Sequence, residues 1–326
     1  MKKFLNKYFG VICFTAICFL CSVSLSTVSA YDKTIFYPGA DLSGKDFRGQ
    51  NLDGVILTGA NLTATNFEGA SLRNADLREV YFRNANLRSV NLTSAILDGS
   101  DLTRADIRDA NLVSASFIKA VLNMARLERA ILSNGFLPGS SLIKANLTDA
   151  KLDHTVLQDS DLTQAVLENA DLTASVLGSI GLGNPSPMAS ILRGANLRGA
   201  NFSNSNLMSV DLSEANLSEA DFNNAILSYA NLSWVSSRNA SFNGATLSWI
   251  RAYGADFFNT NFSNSIATLA QMTGADFSKA NLKGANFDYA NLTQTILTGA
   301  VSDKNASFFN TQFYGSINNQ LEFEQN

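Results

Sequence analysis

Residues able to perform acid–base, nucleophilic or metal chemistry are few in this sequence and stand far apart. The 326-residue chain contains one histidine, His154, and three cysteines, Cys13, Cys18 and Cys21, which all lie within the first thirty residues. We interpret the isolated histidine as a solvent-exposed residue, because a lone imidazole is poor evidence for a general base or a metal ligand. No phosphate-binding loop, nucleophile elbow or zinc-ligand spacing is present. We therefore predict that the protein is not an enzyme and has no catalytic residues, cofactor or metal site.

Aspartate is the remaining residue type whose spacing suggests chemistry, because it recurs at one position of a short repeated unit. Asp41, Asp101, Asp161 and Asp171 share this position. Carboxylates brought together from neighbouring units could bind a cation. The same side chains can instead accept hydrogen bonds from nearby backbone N–H groups and stabilise a turn. We favour the turn role, which depends on the geometry of the repeated unit.

The repeated unit is five residues long and keeps its register from Ala40 to Ala300. Its form is clear in ADLSG (40–44), ANLTA (60–64), ANLRG (195–199) and ANLKG (280–284). We refer to the large central residue as i. Of the 52 central positions from 42 to 297, 48 hold Leu, Phe, Ile or Met, and the exceptions are Pro187, Ser237, Ala252 and Ala267. The residue at i−2 is small at nearly every repeat, except at Lys45, Gln50, Ile180, Pro185 and Ile250.

A period of five excludes a straight helix and a flat strand. Each step of five residues rotates a helical side chain by about 140°, so no helical face could collect the apolar residues. In a flat strand an odd period would place successive large residues on opposite faces. The chain must therefore turn once per repeat, with i−2 and i pointing inward. Glycine is frequent at i+2, as at Gly44, Gly54 and Gly199, which suits a corner with positive φ.

The tandem A(N/D)LxX pattern resembles that of the pentapeptide-repeat proteins. This resemblance implies an all-β fold, a right-handed quadrilateral β-helix in which four repeats form one coil. Backbone ladders about 4.8 Å apart would then stack about 13 coils into a β-solenoid. Residues twenty apart would fall in one column, so that Phe202, Phe222, Phe242 and Phe262 form a buried aromatic ladder.

The first thirty residues have the layout of a secretory signal peptide. Lys2, Lys3 and Lys7 precede an uncharged run from residue 8 to residue 28, and small residues end at Ala30. This pattern predicts a signal peptide over 1–30 that is cleaved before Tyr31. An uncleaved membrane anchor is the alternative, because the run is long enough to span a bilayer. After cleavage we expect no membrane insertion.

The remainder of the chain divides at its irregular segments. We predict an N-terminal cap over 31–39, a solenoid in two parts over 40–177 and 191–302, and a C-terminal cap or tail over 303–326. The segment 178–190 between the two parts concentrates glycine and proline, and Pro185 and Pro187 fall at inward positions. Proline cannot donate to a ladder, so we expect a loop or distorted coil there. The sequence leaves open the phase of the coils across this segment.

Columns of apolar residues indicate where such a solenoid could bind another protein. Twenty-residue stacking places one group on a single side, with four residues at i+2 and two at i−1, namely Tyr229, Trp249, Leu269, Tyr289, Ile226 and Ile266. A contiguous apolar patch with Trp and Tyr is typical of an interface, although single exposed hydrophobic residues are common on any protein. A second column of Phe136, Val156 and Val176 is expected on another side of the N-terminal part.

We predict an exported scaffold with a structural or protein-binding role. Its partner would be a protein that the sequence does not identify, or a second copy of the chain in self-association. The full chain has a net charge of −4 and becomes more acidic once three lysines are removed, so direct nucleic-acid binding is not expected. The resemblance implies periplasm or thylakoid lumen as compartments, and release from the cell is a third.

Two other functions compete with this prediction. Some proteins of the similar family imitate duplex DNA and bind a topoisomerase such as DNA gyrase, but an export signal would separate this chain from a cytosolic enzyme. A polysaccharide-active β-helix enzyme would need acidic clusters and substrate-stacking aromatic residues in one cleft.

Overall fold

The protein was analysed as a computed structural model, which describes residues 37–178 and 189–317. The predicted signal peptide, most of the predicted N-terminal cap, most of the segment 178–190 and the tail from 318 onward lie outside the described residues. In the described ranges the backbone is a succession of tight turns joined by single bridging residues, with no helix and no longer strand. No helix in these ranges is long and apolar enough to cross a membrane.

The bridging residues form parallel ladders with a twenty-residue offset. The residue at i−1 pairs with the i−1 residue of the next coil, so four repeats separate paired positions and the coil has four sides. We number the sides by their first bridges, which are Asp41 with Asn61 for side 1, Asp46 with Asn66 for side 2, Asn51 with Ser71 for side 3 and Ile56 with Asp76 for side 4. Backbone hydrogen bonds run in both directions at each level. For example, the Leu62 N–H donates to Tyr81 O at 2.8 Å, and the Tyr81 N–H donates to Ala60 O at 3.0 Å.

Each corner is a tight turn that the sequence specifies locally. The N–H of i+3 donates to the carbonyl of i, as from Ala60 to Leu57 at 2.9 Å, and the residue at i+2 has positive φ. This combination is the pattern of a type II turn. The side chain at i−1 accepts from the N–H of i+1, as Asp101 does from Thr103 at 2.9 Å and Asp161 from Thr163 at 2.9 Å. The predicted turn role of these aspartates is confirmed.

The core is a single column of inward side chains at i and i−2. The predicted phenylalanine ladder is present, with ring centroids 5.0, 4.8 and 5.2 Å apart from Phe202 to Phe262 and all four rings fully buried. The exceptional small residues Ser237, Ala252 and Ala267 are also fully buried, in the coils that hold Phe242, Phe257 and Phe262. Because the interior of a coil has a fixed cross-section and is close-packed, a small residue beside a large ring preserves the total volume.

The ladders continue across the segment 178–190 with an offset of thirty residues in place of twenty. Asp161 pairs with Ile191, and Val176 pairs with Asn206. The Ser190 N–H donates to Leu177 O at 3.0 Å, which is the ordinary turn bond of this fold. The ladders therefore skip two repeats of sequence, and the columns of all four sides continue beyond the segment.

This offset corrects one expectation. The column of Phe136, Val156 and Val176 continues into Asn206 and Ile226, so it lies on side 4 together with Ile226 and not on another side. Counting in steps of twenty across the segment displaced the predicted column by two sides. At the other end of the solenoid the offset is twenty-one, and Ser307, Gln312 and Ile317 pair with Asn286, Asn291 and Ile296. The ladder thus continues through residue 317 within the segment 303–326.

Candidate interaction surface

Side 4 differs from the other three sides in the column of residues at i−1. Large apolar side chains make up seven of its thirteen described members, and three of them are consecutive at Phe136, Val156 and Val176. The apolar members are Ile56, Ile96, Phe136, Val156, Val176, Ile226 and Ile266. The polar members are Asp76, Ser116, Asn206, Thr246, Asn286 and Ser307. Ile96, Phe136, Ile226 and Ile266 are between 40% and 45% exposed, although each is anchored in a ladder by its backbone.

The equivalent columns on the other sides are mainly polar. Side 3 carries mostly Asn, Asp and Ser, and side 2 includes Asp46, Asp106, Arg126 and Asp256. Side 4 has Asp76 as the single charged residue of its i−1 column among the described residues. Exposed apolar residues are therefore more frequent in the i−1 column of side 4 than in the i−1 columns of the other sides. A concentration of this kind is typical of an interface.

The corner of side 4 at i+2 carries the aromatic residues predicted from the sequence. Tyr229, Trp249, Leu269 and Tyr289 follow one another in successive coils, all with φ between 59° and 66°. The rings of Tyr229 and Trp249 stack at 6.2 Å with an interplanar angle of 12°. Trp249 and Tyr289 are each 50% exposed, and Tyr229 and Leu269 are half-buried. The structure thus places all the predicted surface residues on side 4 or on its corner.

Phe309, at i+1 of the repeat 306–310, packs against this corner at its C-terminal end and was not predicted. Its ring meets Tyr289 edge-on at 5.5 Å, and it is well exposed. Its place was hidden in the sequence because the register slips by one residue after 300. The signal was present in the degraded repeat ASFFN, 306–310, once the slip is allowed for.

A second exposed tryptophan lies on the corner of side 1. Trp234 is 66% exposed and packs over the backbone of Gly254 in the next coil. A Cβ at Gly254 would lie 2.3 Å from the Trp234 ring, so glycine is required for this contact. Tyr253 lies beside it and is partly exposed. Because Trp234 and Gly254 are twenty residues apart, the same column argument could have found the pair from sequence.

Charged side chains gather on side 2, where carboxylates pair with arginines. Asp106 binds Arg108 at 2.5 Å and Asp109 binds Arg129 at 2.7 Å. Burial acts to raise the pKa of Asp106, but hydrogen bonding and charge interaction with Arg108 outweigh it and lower that pKa below 3.8. The lone His154 sits exposed at a turn with φ of 57°. Among the residues that the structure describes, no group of three or more His, Cys, Asp or Glu is arranged to hold a metal ion.

Comparison with known proteins identifies the five-residue repeat. A family model described as "Pentapeptide repeats" matches in eight copies, over residues 39–69, 65–104, 95–134, 140–178, 190–228, 205–248, 255–294 and 268–301. A search of curated proteins finds no match.

Solved structures similar to this chain include other proteins with the same repeat. HetL, a pentapeptide repeat protein involved in heterocyst differentiation regulation from the cyanobacterium Nostoc sp. strain PCC 7120, is 24% identical with a TM-score of 0.35, and the match covers 84% of this chain and 90% of HetL. QnrB1, a plasmid-mediated fluoroquinolone resistance protein, is 13% identical with a TM-score of 0.30 and coverage of 83% and 92%. A pentapeptide repeat protein from the Arabidopsis thaliana thylakoid lumen is 22% identical with a TM-score of 0.21 and coverage of 49% and 80%.

Proposed function

The chain belongs to the pentapeptide-repeat family, and we propose that it is an exported, non-enzymatic scaffold that binds protein through side 4. The proposal includes a right-handed quadrilateral β-helix of about 13 coils, held at the strand spacing of about 4.8 Å. The observation that carries the function is the apolar i−1 column of side 4, bordered by the aromatic corner.

Leaving this apolar surface in water is unfavourable in free energy. Trp249 and Tyr289 are each half exposed. Burying the exposed half of one such aromatic side chain would contribute about 2 kcal/mol to the free energy of binding. Tryptophan and tyrosine also predominate among the residues whose truncation weakens protein complexes most. The stack of Tyr229 on Trp249 holds one tryptophan ring in place before binding, which reduces the entropy lost on association.

A mutational test separates an interface from surface packing. In the double variant Trp249→Ala with Tyr229→Ala, we expect the circular dichroism spectrum to persist while partner capture from the exported compartment and self-association are lost. Trp234→Ala is the matched control, since it removes a tryptophan that is even more exposed, 66% against 50%, from the corner of another side. If capture and self-association are the same in both variants and in the unaltered protein, side 4 is not an interface.

Export is a separate part of the proposal and rests on the sequence of residues 1–30. The charged start, the uncharged run and the small residues before Tyr31 support it. The compartment would be the periplasm, the thylakoid lumen or the cell exterior, and no membrane insertion is expected after cleavage.

We do not propose the alternative role of a DNA mimic that binds a topoisomerase. Such a mimic needs rows of unpaired carboxylates that stand in for phosphates. On side 2 the carboxylates of Asp106, Asp109 and Glu219 are paired with arginine side chains, which cancels much of their negative field.

A further inference from the structure

The proposed function leaves the partner open, and building on it we propose that the molecule covering side 4 is a second copy of this chain. The two copies lie antiparallel, side 4 against side 4, about a two-fold axis that passes through the level of Val176. The axis runs across the width of side 4, at a right angle to the long axis of the solenoid. Each column of side 4 therefore meets the same column of the other copy in reverse order. Val176 is the middle member of the i−1 column, with six described levels on either side.

The i−1 column is nearly palindromic about Val176. Levels equally distant from the centre carry residues of like chemistry, which would face each other across the axis. These pairs are Ile226 with Phe136, Thr246 with Ser116, Ile266 with Ile96, and Asn286 with Asp76. Two further levels pair unlike residues, Asn206 with Val156 and Ser307 with Ile56. Four of the six pairs thus set apolar against apolar or polar against polar, which favours an isologous interface, where each pair of residues meets twice.

The corner of side 4 is complementary in size under the same operation. The bulky residues occupy the C-terminal half, and the N-terminal half has glycine at alternate levels, at Gly59, Gly99 and Gly139. Tyr229 would then face Gly139, and Leu269 would face Gly99. A Cβ at Gly99 would meet only Glu79 Cγ, at 3.5 Å, and one at Gly139 would meet Lys119 Cγ at 3.4 Å and Asp159 Oδ2 at 3.9 Å. These neighbours are flexible side chains, so the corner can admit a partner side chain at both glycines.

The charges of side 4 also agree with an antiparallel arrangement. At i+1 the charged residues of this side are Arg78, Asp98 and Asp288. The two-fold axis sets Arg78, which is paired with Asp76 of its own chain at 2.6 Å, opposite Asp288, and it sets Asp98 opposite Thr268, so no like charges meet in this column. On the corner, Trp249 would face Lys119, a pairing that allows a cation–π contact. A parallel dimer would instead set the i−1 column against the aromatic corner.

The area available matches what a stable dimer buries. Side 4 is roughly 60 Å long and about 12 Å wide at ordinary strand dimensions, or roughly 700 Å² per copy. Standard protein interfaces bury about 800 Å² per partner.

Charge complementation between two variants tests both the partner and its orientation. Ile266→Arg or Ile96→Asp alone places two unpaired charges against isoleucine in the homodimer, and each should raise the dimer Kd by about 100-fold or more. Mixed in equal amounts, the two variants form one Arg–Asp pair and one Ile–Ile pair, so dimer should return. Ile191→Arg is the control, because this residue is similarly exposed at i−1 on side 1. Masses are measured by sedimentation on the exported protein, with circular dichroism as the check on folding.

The outcomes are distinct. We expect the unaltered protein and the Ile191 variant to be dimers, the two side 4 variants to be monomers, and the mixture to recover the dimer. A monomeric unaltered protein at about 100 µM overturns the second copy as partner and leaves side 4 to another protein or a lipid surface, which the tryptophan variants address separately. A dimer that survives both single variants, or a mixture that stays monomeric, overturns the arrangement. If either variant fails to fold, Ile226→Arg with Phe136→Asp repeats the test at a second facing pair.

Discussion

Phe242→Ala tests the aromatic ladder as the main local source of stability in the C-terminal part. The Phe242 ring is fully buried and stacks on Phe222 at 4.8 Å and on Phe262 at 5.2 Å, with Phe257 edge-on at 6.3 Å. Removing a buried phenylalanine costs about 3–5 kcal/mol, and each lost aromatic pair adds about 0.5–1.5 kcal/mol beyond area burial. With three aromatic pairs lost, we expect the free energy of unfolding to fall by at least about 4.5 kcal/mol, from about 3 kcal/mol for the ring and about 0.5 kcal/mol for each pair.

The loss should be measured by urea unfolding followed by circular dichroism. Each coil contacts only its neighbours, so the coils on either side of the substitution remain intact. A lower urea midpoint together with a second unfolding transition would show that the solenoid then unfolds in two parts. Tyr81→Ala is the control, since it removes a half-exposed ring from side 1 and should cost less than about 1 kcal/mol. Equal losses in the two variants would show that Phe242 is not a core residue and would refute the inward assignment of position i.

Three further predictions concern the corner, the ion pairs and the N-terminus. In Gly254→Ala the new Cβ would collide with the Trp234 ring, so the tryptophan emission should shift and the folding free energy should fall by about 1–3 kcal/mol; unchanged emission would contradict the contact. Asp106 has a pKa lowered below 3.8, so its pairing stabilises the fold above that pH and is lost as pH falls through the lower folded value. Asp106→Asn should therefore flatten the acid limb of a melting-temperature profile, and an identical acid limb would count against it. N-terminal sequencing of the exported protein should begin at Tyr31, and a chain that still begins at Met1 would rule out cleavage.

The core of the fold was predictable because its determinants are local and repeat without change. A period of five fixes which residues point inward, and Asn or Asp at i−1 binds the backbone two residues later wherever it occurs, as at Asp101 and Asp161. The ladder from Phe202 to Phe262 then follows from counting in twenties, since no insertion interrupts that range.

Which residues share a side was less predictable, because it depends on the number of repeats that lie between them in the coils. A five-residue step keeps every side chain inward or outward but moves it to the next side. The ten residues passed over between 178 and 189 therefore left the core pattern intact while shifting every later column by two sides. The aromatic corner was predictable because all its residues follow the segment 178–190. Counting in twenties among them crosses no insertion. Counting in twenties across the segment could not show that Phe136 and Ile226 share side 4.

Deleting residues 179–188 isolates this effect, because it joins Gly178 to Ala189 and restores the twenty-residue offset between successive coils. The ladders already close across this point, with Ser190 bound to Leu177, so the deletion should preserve the fold and every column of side 4. Removing these ten residues, which the ladders pass over, should stabilise the protein by at most about 2 kcal/mol. The matched variant deletes residues 179–193, which also keeps the register but turns all later columns by one side. Both variants should fold with the same circular dichroism, and the second alone should lose association, because Ile226 and Trp249 no longer lie in line with Phe136. Association that persists in the second variant would mean that the alignment of the two halves of side 4 does not matter.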